Sequence, residues 1–121
     1  MAEIVVNKWE RAERMDLEGI IRFQILVHCH LSGIRISDAR LECLTLIGIN
    51  NKMLLTPLTN ILAERGIFTS PQSARNVIWE LIGENILIKE GTYRKEISLS
   101  PTMKVQNRGT ILLDIKCLCR E

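Results

Sequence analysis

The sequence predicts an α+β fold, mainly helical, and three observations predict it. Four stretches repeat apolar residues at helical spacing, with capping residues before them and glycine or asparagine after them. Residues 86–99 place two β-prone runs on either side of a glycine-containing loop, which reads as a hairpin. Within residues 110–119, Ile111, Leu113, Ile115 and Cys117 alternate with Leu112, Asp114, Lys116 and Leu118, the pattern of one more half-buried strand.

Each element has its own signal. Residues 2–7 (AEIVVN) are a short β-prone run, and the charged stretch 8–16 reads as a loop or a marginal helix. Leu17, Ile20, Ile21, Phe23, Ile25 and Leu26 then predict a helix over 17–32, capped by Asp16 and stopped by Gly33. It is apolar over much of its girth, which predicts burial on more than one side. Ser37 and Asp38 open a second helix, roughly 38–48, that Asn50-Asn51 breaks. Met53-Leu54-Leu55 is a short extended candidate. Thr56-Pro57 reads as a cap followed by proline at the first helical position, and Leu58, Ile61 and Leu62 form that helix's stripe before Gly66. Thr69-Ser70-Pro71 repeats the start signal, and Ala74, Val77, Ile78, Leu81 and Ile82 follow as one stripe, ended by Gly83 and Asn85. Ile86–Lys89 and Lys95–Leu99 are the hairpin strands, and Pro101 closes the unit.

The 121 residues are expected to form a single domain over 1–121, with an N-terminal extension and first helix (1–37), a central unit (38–99) and a C-terminal strand segment (100–121). At this length about two-thirds of the unfolded surface can be buried, so a core forms without disulfide or metal staples. A chain that is 46% hydrophobic with a net charge of +2 is not disordered. The start of the chain lacks the apolar core of a signal peptide, and no apolar stretch approaches the ~20 residues that span a bilayer. A cytoplasmic protein is expected, with Cys29, Cys43, Cys117 and Cys119 as reduced thiols.

The order of parts over 38–99 resembles the winged helix-turn-helix family. The likeness rests on LTPLTNILAERGIFTSPQSARNVIWELIGENILIKEG followed by RKEISLSP, about half of the chain. The resemblance implies a winged helix-turn-helix with an extra N-terminal helix and a C-terminal β-strand. Ser70–Leu81 would be the recognition helix, Ile86–Leu99 the wing, and double-stranded DNA the partner. A helical projection of residues 71–83 puts Gln72, Asn76 and Trp79 outward, with Ser73, Arg75 and Glu80 beside them. Gln72 and Asn76 are amides that suit adenine edges, and Arg75 suits guanine or a phosphate. Tyr93, Arg94 and Lys95 are the donors near the wing tip.

Two features oppose that reading. Residues 69–99 hold four bases (Arg75, Lys89, Arg94, Lys95) and four acids (Glu80, Glu84, Glu90, Glu96), so the net excess of +2 resides in residues 100–121. Phosphate neutralisation dominates DNA affinity, and a neutral reader supplies little of it. Trp79 is also an unusual groove reader: it either packs against the wing or the N-terminal segment, or stands exposed as an anchor for a protein partner. Two functions are therefore expected in turn. One is a DNA-binding protein, a small regulator of transcription or replication, with a dimer interface outside the motif. The other is a protein-interaction or assembly module, such as a structural subunit of a phage particle, in which case the chain resides in the virion. Either way a homo-oligomer or a subunit of a larger assembly is expected, with no membrane partner.

The remaining constellations are weak. His28-Cys29-His30 places its two imidazoles about 200° apart on a helix, and Cys117-x-Cys119 lacks the two-residue gap of common zinc knuckles, so no metal or other cofactor is expected. No nucleophile, phosphate loop or carboxylate pair stands out, and no enzymatic activity is expected.

Overall fold

Helix α1, Leu17–Leu31, starts where Asp16 accepts a hydrogen bond from the Gly19 amide at 2.7 Å and ends at Ser32-Gly33, with Gly33 in the left-handed region. The computed structural model describes residues 16–106 in full and, beyond them, the backbone of two terminal strands, β1 (Ala2–Asn7) and β5 (Ile115–Arg120). The stretch 8–15, expected as a loop or marginal helix, and residues 107–114 lie outside the described residues. Only Ile21, Ile25 and Cys29 of α1 are fully buried, one stripe at i, i+4 and i+8, while Leu17, Leu26 and Leu31 are exposed. The expectation that this helix is buried on more than one side is therefore corrected.

The helix that is buried all round is α2, Asp38–Asn50, capped by the Ser37 hydroxyl. Every residue from Leu41 to Gly48 except Glu42 is buried. Thr45, buried among them, donates its hydroxyl to the Leu41 carbonyl at 2.7 Å, so it leaves no unpaired polar group in the core. The helix runs to Asn50, two residues past its expected end. Asn50 donates its side-chain amide to the Leu46 carbonyl at 2.9 Å, and the chain turns only at Asn51, which has a φ of 63°.

Strand β2 (Lys52–Leu54) leads directly into α3 (Leu55–Glu64). Thr56 does not cap this helix. The Leu55 amide donates to the Lys95 carbonyl at 2.9 Å, so the strand pairing sets the start and places Thr56 and Pro57 second and third in the first turn. Proline is tolerated there because first-turn amides have no intrahelical acceptor. Helix α4, Pro71–Gly83, starts as expected: Ser70 and Ser73 form a reciprocal capping box with Pro71 at the first position.

Strands β3 (Leu87–Glu90) and β4 (Glu96–Leu99) form the expected hairpin, with Leu87 opposite Leu99 and Glu90 opposite Glu96. The five-residue loop between them needs Gly91: its φ is +89°, and a Cβ there would collide with the Arg94 carbonyl. Strand β2 pairs antiparallel with β4, giving a three-stranded sheet in the order β2-β4-β3. Ile97 faces the core, joined by Leu44, Ile47, Leu58, Leu62, Ile78, Leu81 and Leu87. A 3-10 turn, Pro101–Met103, follows the hairpin, and the Gln24 amide of α1 clamps the chain beyond it by donating to the Gln106 carbonyl and accepting from its amide. The terminal strands pair with each other, antiparallel from Ala2 opposite Arg120 to Asn7 opposite Ile115, in a separate two-stranded sheet. The fold is α+β and mainly helical, and its order of elements is compatible with a winged helix.

Two predictions follow from the packing of α2. A Cβ at Gly48 would lie 2.7 Å from Ile21 Cγ2 and 3.1 Å from Leu99 Cδ1, where α2 crosses both α1 and β4. Overpacking there outweighs the helix propensity gained, so Gly48→Ala is expected to cost roughly 1–2 kcal/mol and lower Tm by roughly 5–10 °C in a thermal melt. Burial pushes the Cys43 thiol up from 9.0 to about 12, and raises that of Cys29 as well. From pH 9 upward the unfolded chain loses a proton that the folded chain keeps, so this contribution to stability is complete below pH 9 and falls towards pH 12. Urea titrations across that range should show the wild type losing about 1.4 kcal/mol per pH unit more than Cys43→Ala; parallel declines would contradict it.

Candidate nucleic-acid interface

The two flanks of α4 face different neighbours, and this organises the site. Glu80 and Glu84, four residues apart, share the flank that faces the start of α2, where Arg40 forms an ion pair with Glu80 and reaches Glu84 at 3.7 Å. Arg75 and Trp79, also four residues apart, share the flank that faces the hairpin. In the sheet, the register places Lys52, Leu54, Ile88, Glu90, Glu96 and Ser98 on the outer face and Lys89 with Leu87 and Ile97 on the inner one. Glu90 pairs there with Lys52 at 3.7 Å.

Lys89 and Lys95 consequently reach Trp79. Their ammonium nitrogens stand 5.4 Å and 5.3 Å from the centre of its ring, within the range of cation–π attraction. Trp79 is 37% exposed, so it both leans on the hairpin lysines and keeps a free edge. Of the alternatives read from the sequence, packing against the hairpin is present through the two lysines. Below Trp79 opens a cleft of about 430 Å³, walled by Arg75 and Trp79 of α4, Tyr93, Arg94 and Lys95 of the β3-β4 loop, and Leu54 to Pro57 where β2 enters α3. Among the described residues no carboxylate bridges Arg75, Lys89, Arg94 or Lys95, and the Arg75 Nε is buried without an acceptor.

The structure brings together Arg75, Trp79, Tyr93, Arg94 and Lys95 of the residues singled out from the sequence. Gln72 and Asn76 are exposed on the next stretch of helix surface, where Gln72 donates to the Asn76 side-chain carbonyl at 3.0 Å. That leaves Gln72 Oε1 and the Asn76 amide nitrogen available. Ser73 is placed otherwise: its hydroxyl donates to the Ser70 carbonyl at 2.9 Å and accepts from the Ser70 amide at 3.1 Å, which commits it to the cap. Three contributors were not singled out from the sequence. Lys89 could have been found from its alternation with Leu87, and the two-sided character of α4 from the four-residue spacing of its acids. The role of Arg40 had no local signal, because its partners lie 40 and 44 positions away.

The described residues hold no cluster of three His, Cys, Asp or Glu side chains that could bind a metal ion, and no helix among them is long and apolar enough to cross a membrane. Cys117 and Cys119 are on β5, whose side chains lie outside the described residues. Comparison with protein-family models, with curated proteins and with solved structures finds no match to this chain.

Because Ser73 serves the cap, Ser73→Ala should cost stability first. A loss of about 1 kcal/mol in urea unfolding is expected, similar to that of Ser70→Ala. An unchanged unfolding midpoint would contradict the capping role.

Proposed function

We propose that this chain is a winged helix-turn-helix DNA-binding protein, a small regulator of transcription or replication. In this reading α3 and α4 are the helix-turn-helix, α4 is the recognition helix, and the β3-β4 hairpin is the wing. Helix α1 and β5 are the additions to the motif. One observation carries the proposal: the charges of residues 69–99 balance in number but are separated in space. Arg40 draws Glu80 and Glu84 to one flank of α4, and Lys52 pairs with Glu90 on the outer sheet face. Arg75, Arg94 and Lys95 are left around one cleft, and Lys89 stands over the Trp79 ring that borders it. Four cations on one face restore the phosphate-neutralising term that the charge count had removed. Two ammonium groups over Trp79 also make its surroundings basic, which suits a polyanion better than an apolar protein anchor. The amides of Gln72 and Asn76 are the candidate base readers and the wing cations the backbone contacts. Neither catalysis nor a cofactor is part of the proposal, and a cytoplasmic setting accords with it.

A second reading, an assembly module such as a virion subunit, is favoured by the terminal strands. Strands β1 and β5 use one edge each on each other, and their outer edges are unpaired among the described residues. A two-stranded sheet is marginal alone, and a further strand from a second copy or a partner would extend it. Light scattering on the purified chain distinguishes a monomer from such an assembly.

Duplex binding followed by fluorescence anisotropy tests the first reading. With four phosphate contacts, log affinity should fall with log salt at a slope of about −3.6, roughly a hundredfold between 50 and 200 mM salt. Removal of Arg75, Arg94 or Lys95 should lower that slope by about one each. Arg40→Ala, which releases two carboxylates on α4, should weaken binding roughly twofold to tenfold. Absence of duplex binding at low salt would overturn the proposal.

A further inference from the structure

We propose that the cleft between α4 and the wing takes an unpaired nucleobase, so that the preferred ligand is a DNA duplex continued by a single strand. The inference rests on the nucleic-acid reading above and specifies its substrate. The chain is poor in aromatics, with two tryptophans, two phenylalanines and one tyrosine, yet Trp79 and Tyr93 both border this cleft. Tyr93 is fully exposed, and no described contact holds its ring. A free aromatic ring and a half-exposed indole bordering one cleft, with Arg75, Arg94 and Lys95 lining it and Lys89 over the indole, are the chemistry of a single-strand stacking site: the rings take the base and the cations take its phosphates.

Shape selects the same ligand. The cleft, about 430 Å³, is concave and bounded on three sides by α4, the wing loop and the start of α3. A half-open groove of that volume receives one base with its sugar, whereas the cylinder of a duplex is too wide to enter it. In a duplex the base faces are hidden by their neighbours, and only an unpaired nucleotide offers one to Tyr93 or Trp79. Lys89 and Lys95 lie over the indole in the free protein. Arrival of a phosphate gives each ammonium a stronger partner than the ring, and a base can then replace it there.

The test compares a blunt duplex with the same duplex carrying a short oligothymidine tail, both in anisotropy titrations at low salt. The tailed DNA should bind at least about fivefold more tightly. This preference should fall to near unity in Trp79→Leu and, independently, in Tyr93→Ala, which removes a fully exposed side chain. In a Trp9→Phe background, in which Trp79 is the sole tryptophan, the tail should quench its emission. Equal affinity for the two DNAs, or a tail preference that survives both substitutions, overturns the inference while leaving duplex binding in place. Failure to bind either DNA overturns it together with the nucleic-acid reading.

Discussion

The arrangement depends on the burial of α2. A helix in which Leu41 and Cys43 to Gly48 are all buried keeps only a narrow solvent-facing strip, so other elements must enclose most of it. Helix α1 covers one side, approaching so closely at Gly48 that an added Cβ would press on Ile21, and β4 reaches the same glycine through Leu99. The other helices and the sheet contribute Leu58, Leu62, Ile78, Leu81 and Ile97 to the same continuous core. The orientation of α4 is therefore tied to α2, and the first turn of α2 carries Arg40. One helix thus supplies the centre of the core and the cation that holds the acids of α4 to one side.

That connection decides how the charge count should be read. Net charge is a sum, whereas a polyanion senses the field at one face. Exposed ion pairs of the Arg40 and Lys52 kind contribute little to stability. Their consequence is positional: they occupy Glu80, Glu84 and Glu90 away from the cleft, and the bases on the wing side stay uncompensated. The same separation explains Trp79, whose indole has cations rather than apolar groups above it.

Most of the fold was legible because local chemistry fixes it. Asp16, Ser37 and Ser70 each cap the helix expected of them, and the hairpin follows from Gly91 and its flanking β-prone runs. The start of α3 was misread because a long-range bond, from the Leu55 amide to the Lys95 carbonyl, overrides the local Thr56-Pro57 signal. The girth of α1 was misread because its composition does not say which of its apolar residues find a partner, and Leu26 and Leu31 find none that buries them. The terminal strands were readable as strands, but their pairing with each other spans the whole chain and has no local signature. In the candidate site, Arg75 and the wing residues were visible from position alone, whereas the separation of charge needed the α2-α4 contact. Ser73, beside the outward face on a helical wheel, illustrates the limit of projection: a hydroxyl three residues after a cap serves the helix itself.

The central claim is that one face, formed by α4 and the wing, meets nucleic acid. Amide chemical-shift mapping by NMR tests it most directly, with isotope-labelled protein titrated with a short tailed duplex. The account predicts the largest shifts within Gln72–Glu80, at Lys89 and across Tyr93–Lys95, with α1 and the outer face of the sheet unaffected. Shifts confined to α1 or to the terminal strands, or no shifts at all, would contradict it.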